Sequence, residues 1–102
     1  MSAPLSQEAR TSDLQPLLDQ GWAHDPARDA ISKTFKFKSF VQAFGWMTQA
    51  AIWSEKYKHH PEWFNVYNRV DVVLTTHDVD GLSELDIKLA RKMDVLAAQL
   101  AG

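Results

Sequence analysis

The chain has 102 residues, of which 45% are hydrophobic and 24% are charged, as in ordinary globular proteins. We expect a single domain over residues 1–102, since a chain of this length buries roughly two-thirds of the surface that it exposes when unfolded. Eleven basic and thirteen acidic residues give a net charge of −2, which argues against direct binding to the phosphate backbone of a nucleic acid. The absence of cysteine excludes a disulfide framework and thiol chemistry.

The N-terminus lacks the basic start and the apolar run that are typical of a signal peptide. No run of about eighteen apolar residues, the length of a membrane-spanning helix, occurs anywhere in the sequence. We therefore expect a cytoplasmic protein that does not associate with membranes.

The first third of the sequence predicts a helix followed by a β-hairpin. Ser6 is typical of an N-cap and opens a helix over residues 6–18, although Pro16 interrupts its pattern. Residues 22–24 predict a short strand before the Asp25-Pro26 turn, and we expect His24 to be a surface residue there. Residues 31–38 alternate between apolar and polar side chains, which predicts a second strand with one buried face.

A long helix is predicted from Phe40 to Tyr57, with Ser39 as its N-cap. Its apolar residues form two stripes. One consists of Phe40, Phe44, Met47 and Ala51, and the other of Ala43, Trp46, Ala50, Trp53 and Tyr57. We infer that one stripe covers the sheet and the other contacts a second subunit, the alternative being one wide stripe in the core.

The remaining sequence predicts a second hairpin and a last helix. Its strands cover residues 63–67 and 70–76, with a tight turn at Asn68-Arg69. Ser83 and Asp86 resemble a capping box at the start of the last helix. The predicted fold is therefore α+β: a four-stranded antiparallel sheet with three helices packed on one face, in the order α-β-β-α-β-β-α.

Three histidines stand out in the second half of the sequence. His59 and His60 lie where Pro61 must end the long helix, which predicts a helix-to-strand corner. His77 lies at the far end of the second hairpin, which folds back beside the same corner. Because histidine titrates near neutral pH, such a cluster can supply a proton donor and a proton acceptor together.

Each of these residues also has a purely structural interpretation. A histidine at a helix end can bond a free carbonyl there, Asp86 can cap the last helix, and Glu55 can be a solvated charge. A zinc site is disfavoured because the adjacent His59 and His60 diverge and no HxH, HxxxH or cysteine spacing occurs. We therefore predict no metal ligands.

The spacing of the histidines is that of a longer signature: an acid, three residues, His-His-Pro, five residues, an aromatic residue, nine residues, a histidine, a short gap and an aspartate. It is matched by Glu55, His59, His60, Pro61, Tyr67, His77 and Asp86. This pattern resembles the signature of the pterin-4a-carbinolamine dehydratases. The segments RDAI, AFGWMT, HHPEWFNVYN and GLSE are similar to the animal-type members.

The resemblance implies the same fold and a hydro-lyase that removes water from 4a-hydroxytetrahydrobiopterin, giving quinonoid dihydrobiopterin in tetrahydrobiopterin recycling without a cofactor. His59 and His77 would donate protons to the departing hydroxyl, while His60 would bind and orient the pterin. Trp63 and Tyr67 offer flat surfaces for its rings, although aromatic residues in strands more often belong to the core. The substrate-binding residues implied are His59, His60, Pro61, Trp63, Thr76, His77, Asp78 and Val79, with Glu55 and Asp86 as further candidates.

The resemblance also implies partners. Family members form homotetramers, as dimers of dimers, and the 40–57 helix would supply the contact. Animal members also act as dimerisation cofactors of a homeodomain transcription factor, which would add a nuclear location and a transcriptional role to the enzymatic one.

Overall fold

A computed structural model describes residues 3–101 and confirms the predicted α+β architecture. Four antiparallel strands lie in the order β1-β2-β4-β3. They are β1 (Ala23–Asp25), β2 (Ala30–Lys36), β3 (Glu62–Val66) and β4 (Arg69–Leu74). The N-terminal helical segment precedes β1, the central helix (Phe40–Tyr57) joins the two hairpins, and the C-terminal helix (Glu84–Ala101) follows the sheet.

The N-terminal helical segment shows how the chain accommodates Pro16. An α-helical turn, Gln7–Ala9, is capped by the Ser6 hydroxyl, which accepts a hydrogen bond from the Ala9 amide, as predicted. The segment then widens into a π-helix at Arg10–Leu14 before it continues as an α-helix at Gln15–Asp19. A proline within a regular helix removes a donor and clashes with the carbonyl four residues earlier. The wider turn lies just ahead of the proline, which therefore starts the last α-helical piece.

The core lies between one face of the sheet and the helices. Ile31 and Phe35 of β2 are buried there, as predicted, and Phe37 is half-buried against the same cluster. Lys33 shares this face because of the strand's period of two. Its ammonium group is satisfied by the Asp94 carboxylate and the Gln20 carbonyl, at 2.7 and 2.8 Å. This contact ties β2 to the C-terminal helix.

The central helix has the predicted N-cap and bounds, and its two apolar stripes have different surroundings. Ser39 accepts a hydrogen bond from the Gln42 amide. Ala43, Trp46 and Ala50 are fully buried, so this stripe faces the core. Phe40 and Phe44, in the other stripe, are exposed. The interpretation of one wide core stripe is therefore wrong, because Phe40 and Phe44 are exposed, although Met47 of the same stripe packs against the core.

The second hairpin turns one residue earlier than predicted. Val66 pairs with Arg69, so Tyr67 and Asn68 form the turn, and Tyr67 has a φ of 51°. The alternating pattern suggested that Tyr67 ends the strand and that Asn68-Arg69 turns, which is wrong. A left-handed φ is unfavourable for an aromatic residue but is what a tight two-residue hairpin requires.

The C-terminal helix begins with the predicted capping box. The Asp86 carboxylate accepts the Ser83 amide at 3.0 Å, and the Ser83 hydroxyl accepts the Leu85 amide. Leu89, Met93 and Leu96 then bury one face of the helix against the core. Among the helices in the described part of the chain, none has the length and apolar character needed to cross a membrane.

Candidate active site

A cleft of about 440 Å³ opens where the central helix, both strands of the second hairpin and the C-terminal helix meet. It is lined by Lys58, His59, His60, Pro61, Glu62, Thr75, Thr76, His77, Asp78 and Leu85. The predicted histidines therefore converge on one cavity. Pro61, Thr76 and Asp78, which were also predicted to contact substrate, line it as well.

The corner that carries His59 and His60 is formed by the end of the central helix. Lys58 adopts a left-handed conformation with a φ of 55°, and the amide of His59 bonds to the Ser54 carbonyl at 3.0 Å. This closing pattern satisfies helix-end carbonyls and reverses the chain. The helix thus ends at Tyr57 through the left-handed conformation of Lys58, several residues before Pro61. Pro61 then leads directly into β3.

The loop after β4 carries His77 into the lining of the cleft. A short 3₁₀ turn, His77–Val79, follows β4, and Thr76 pairs with Gly81 across it. Asp80 ends the turn in a left-handed conformation, with its amide bonded to the His77 carbonyl. His77 is thereby held at the rim, where 77% of its side chain is exposed.

His59 is the buried histidine of the cluster. Its Nε2 lies 2.5 Å from Oδ1 of Asp86, whose side chain is fully buried. Asp86 Oδ2 accepts the hydroxyl of Thr76 at 2.7 Å and the amide of Ser83. Asp86 is therefore both the cap of the C-terminal helix and the partner of a cleft histidine. It does not itself line the cleft, and its role as a substrate contact stays a prediction.

His60 has a different carboxylate partner. Its Nε2 lies 2.5 Å from Oε2 of Glu55, in the last turn of the central helix, and both side chains are largely exposed. Glu55 is thus not simply a solvated charge. Because the pair faces water, it costs little desolvation and leaves the imidazole accessible from the cleft.

His77 pairs with a residue that the sequence did not single out. Its Nε2 lies 3.2 Å from Oε2 of Glu62, the first residue of β3. The same carboxylate accepts two hydrogen bonds from Arg28, at 2.9 and 3.0 Å. These guanidinium bonds, and next the His77 bond, lower the pKa of Glu62 to about 2. Each of the three cleft histidines therefore has its own carboxylate partner.

Asp29 anchors the loop behind His77. Its carboxylate accepts two hydrogen bonds from Arg10, contacts His24 Nε2 at 2.7 Å and accepts the Leu82 amide at 3.1 Å. The Arg10 bonds, more than those of His24 and Leu82, hold the pKa of Asp29 well below its ordinary value, although partial burial opposes them. His24 is thus a half-buried hydrogen-bond partner of Asp29 rather than the simple surface residue that was expected.

Gly81 is required by this anchor. A Cβ atom at this position would lie 2.5 Å from Oδ2 of Asp29, closer than real Cβ contacts allow. A side chain at position 81 would therefore displace either the carboxylate or the loop that carries His77.

Other predicted site residues lie elsewhere. Trp63 packs its ring against Trp46, with centroids 6.3 Å apart, and Val79 lies outside the cleft lining. Tyr67 lies at the opposite end of β3 from Pro61, roughly 20 Å away at the usual rise per residue of a strand. Within residues 3–101, no three His, Asp or Glu side chains are grouped as metal ligands would be.

Comparison with known proteins decides the family. The sequence profile of the family described as pterin 4 alpha carbinolamine dehydratase matches residues 3–96. The chain belongs to this family of pterin dehydratases. A Ruegeria pomeroyi protein named "Putative pterin-4-alpha-carbinolamine dehydratase" is 65% identical over 96 residues, covering 94% of this chain and 99% of its own length. A Rhizobium etli protein of the same name is 65% identical over 79 residues, which is 78% of each chain.

Two solved structures of pterin dehydratase-type proteins have the same fold as this chain. A transcriptional coactivator/pterin dehydratase from Brucella melitensis superimposes with a TM-score of 0.85 and 52% identity, over 93% of this chain and 99% of that one. A pterin dehydratase-like RuBisCO assembly factor of the alpha-carboxysome superimposes with a TM-score of 0.67 and 24% identity, over 76% of this chain and 89% of that one. At 24% identity, the second structure shows only that the fold is shared. The animal-type likeness of the four segments stays a prediction.

Sequence reasoning missed Glu62, Arg28 and Asp29 as neighbours of the pterin dehydratase signature. Arg28 and Asp29 lie in RDAI and Glu62 in HHPEWFNVYN, both of which were noted as similar to family members. A charged residue at the start of a strand beside His-His-Pro was the available signal for Glu62. Its pairing with Arg28 joins residues 34 positions apart, which no local pattern indicates.

Proposed function

We propose that this protein is a 4a-hydroxytetrahydrobiopterin dehydratase that acts by histidine general acid-base catalysis. The observation that carries the proposal is the convergence of His59, His60 and His77 on one cleft, each with a carboxylate at Nε2. Membership of the pterin dehydratase family supports the substrate class. The product would be quinonoid dihydrobiopterin, which serves tetrahydrobiopterin recycling.

The reaction needs only proton transfers. The C4a–O bond breaks as a proton reaches the 4a-hydroxyl, which leaves as water. The N5–H bond releases its proton, and its electron pair forms the C4a–N5 double bond. One group must therefore donate a proton to oxygen and another must accept one from nitrogen, and such positioned groups typically accelerate a reaction by about 10² to 10⁴.

The contacts of the histidines suggest their roles. His59 and His77 are proposed as proton donors to the hydroxyl, and His60 as the residue that binds and orients the pterin. For His59, Nε2 is engaged by Asp86, so Nδ1 is the nitrogen left to exchange a proton. Thr76 and Asp78 line the same cavity and are proposed to contact the substrate. Trp63 and Val79 are also proposed to contact the substrate. Because neither lines the cleft, this contact would have to form outside the cleft.

The direct test is a dehydration assay. Freshly generated 4a-hydroxytetrahydrobiopterin should lose water at least about a hundredfold faster with the protein than in buffer alone. A parallel reaction with excess chelator tests whether the residues act without a metal, in which case the rate should be unchanged. Equal rates with and without the protein would refute the proposed activity.

We further infer that the protein forms a homotetramer through the exposed face of the central helix. This face, here called the outer helix face, consists of Phe40, Val41, Phe44, Gly45, Thr48, Ala51 and Ile52. Val41 is 80% exposed, and Phe44 and Ile52 are each 54% exposed. An apolar surface of this kind on a small domain is typical of an interaction site.

Gly45 supports close helix packing on this face. A Cβ atom there would meet nothing within 4 Å, so the protomer itself does not need a glycine at this position. A glycine within a helix costs about 1 kcal/mol relative to alanine but lets a second helix approach closely. Two copies of this face can pack on each other across a two-fold axis, which gives a symmetric dimer, and the homotetramer requires a further contact between two such dimers.

A homeodomain transcription factor is the alternative occupant of this face. The Brucella melitensis structure is that of a transcriptional coactivator/pterin dehydratase, which favours such a role for that protein. A helical partner of this kind would compete with self-association. We expect the enzyme in the cytoplasm, with a nuclear fraction only if such a partner exists.

A further inference from the structure

Glu62 connects a catalytic candidate to a fixed cation. Its Oε2 lies 3.2 Å from His77 Nε2 and 2.9 Å from Arg28 Nη2, while its Oε1 accepts Arg28 Nη1 at 3.0 Å. Bidentate guanidinium bonds of this kind fix both the position and the plane of a carboxylate. Glu62 therefore presents one defined oxygen to the imidazole.

Arg28 is itself anchored close to the His77 loop. It lies in the turn between β1 and β2, directly before Asp29. The Asp29 carbonyl accepts the Thr75 hydroxyl at 3.2 Å, and the Asp29 carboxylate accepts the Leu82 amide. Thr75 and Leu82 flank the loop that carries His77, so Arg28 and His77 are held by a shared framework.

The chemistry of the contact specifies the proton on His77. The hydrogen bonds from Arg28, and to a lesser extent the one with His77, lower the pKa of Glu62 to about 2, so its carboxylate is ionised at neutral pH. An ionised carboxylate can only accept hydrogen bonds. Nε2 of His77 must therefore carry a hydrogen. Within residues 3–101, the His77 ring hydrogen-bonds through Nε2 alone, so Nδ1 remains for proton exchange.

We propose that Glu62 is a positioning residue that fixes the Nε2–H tautomer of His77 and makes Nδ1 the nitrogen that exchanges a proton with the pterin. Arg28 acts through Glu62 by holding its carboxylate in place. The inference rests on the proposed dehydratase function. The logic is that of a carboxylate that orients a catalytic imidazole without itself taking up the proton.

A purely stabilising role explains the contact poorly. About half of the Arg28 and Glu62 side chains and 77% of the His77 side chain are exposed. Exposed ion pairs contribute only about 0–1 kcal/mol to stability. Three polar side chains from three separate segments are thus ordered at the rim of the cleft for little gain in folding free energy.

The test compares Glu62→Gln with wild type. Glutamine keeps the size of the side chain but can donate as well as accept, so it no longer dictates the tautomer. We expect kcat to fall about tenfold while KM stays within about twofold, as for a group that acts only in the transition state. Glu62→Asp, which keeps the charge, should retain more kcat than Glu62→Gln.

Nitrogen-15 NMR of the His77 ring supplies a readout that does not depend on turnover. In alkaline solution, the wild-type ring should show the Nε2–H tautomer alone, whereas Glu62→Gln should show a mixture. Asp13→Asn is a matched control, because it breaks an exposed carboxylate–Arg91 pair far from the cleft. This variant should change neither kcat nor the ring signals.

The outcomes separate this inference from the proposed function. A wild-type protein without dehydratase activity counts against the function, whatever the ring signals show. An active wild type whose Glu62→Gln variant keeps its kcat, or keeps a single His77 tautomer, overturns the positioning role. Thermal unfolding of each variant verifies that the fold is intact, and Glu62→Asp provides the second substitution if Glu62→Gln is unstable.

Discussion

The imidazole of His59 lies against the buried carboxylate of Asp86, with Nε2 and Oδ1 2.5 Å apart. Asp86 belongs to the first turn of the C-terminal helix, and His59 follows the end of the central helix. The two helices therefore meet at a polar contact that also faces the cleft. A buried carboxylate is tolerated there because Thr76, Ser83 and His59 satisfy its oxygens.

Asp86→Asn should impair both stability and catalysis. The amide keeps the volume but replaces an acceptor with a donor among three groups that donate to it. We expect the free energy of unfolding in urea to fall by about 1–3 kcal/mol, the usual cost of unsatisfied buried polar groups. Because His59 loses its orientation, kcat should fall by about tenfold or more.

Ser83→Ala weakens the same helix start without removing a bond of Asp86. It removes the hydroxyl that accepts the Leu85 amide and contacts the Thr76 hydroxyl, but it leaves the Asp86–His59 contact and the bond from the Ser83 amide to Asp86. Stability should fall by about 1 kcal/mol, while kcat stays near the wild-type value. If Asp86→Asn lowered stability by a similar amount with kcat unchanged, Asp86 would be a helix cap only.

His59→Ala and His77→Ala should each lower kcat, and the double variant should nearly abolish turnover. Both residues line the cleft but come from separate segments of the chain and have different partners, so neither can replace the other fully. The dehydration assay, with circular dichroism to verify folding, measures the effect. His24→Ala is the control, since its partner Asp29 lies outside the cleft lining, and it should do little to kcat. Wild-type activity in a folded double variant would contradict the assignment.

Local sequence patterns predicted the helices and strands well. The errors arose where the structure depends on pairing between distant segments. Ser6, Ser39 and Ser83 each signalled a helix start because side-chain capping depends on neighbours within four residues. Tyr67 was misplaced because strand alternation cannot show where a two-residue turn begins. The register is set by contacts between strands rather than by the turn residues alone.

The same limit applies to the site. The signature spacing predicts His59, His60, His77, Glu55 and Asp86 as candidate site residues. It did not indicate that Asp86 is buried or that Glu62 contacts His77. Those facts depend on how β3, the His77 loop and the C-terminal helix meet, which is a property of the packed domain.

Asp29 should make the stability of the protein depend on pH in the acidic range. Its pKa in the folded protein lies well below its ordinary value of 3.8, chiefly through Arg10. Its contribution is therefore complete above pH 3.8 and is lost as the pH falls toward the folded pKa. At neutral pH, the free energy of unfolding of the wild type should be about 1–3 kcal/mol higher than that of Asp29→Asn. Urea titrations should show this difference shrinking below pH 3.8. A difference that stays constant with pH would contradict the ion-pair role of Asp29.

Self-association should depend on the outer helix face. Wild-type protein at micromolar concentration should sediment as a tetramer, and Phe44→Glu should dissociate it. The substitution places a charge in an apolar interface, where an unpaired charge costs about 3–5 kcal/mol. Because Phe44 is 54% exposed in the protomer, the domain itself should stay folded. Dehydratase activity should fall less than association, since the cleft is built from one chain.

The choice of substitution matters, because the two apolar stripes of the central helix are not equivalent. Ala50, a natural candidate for a contact residue from sequence alone, is fully buried, so Ala50→Glu would unfold the protomer and reveal nothing about assembly. Val95→Glu is the matched control: Val95 is an exposed apolar residue on the C-terminal helix and is not part of the outer helix face, so its substitution should leave the sedimentation coefficient unchanged. Dissociation by Phe44→Glu but not by Val95→Glu would locate the contact on the outer helix face. A wild-type monomer at micromolar concentration would contradict self-association.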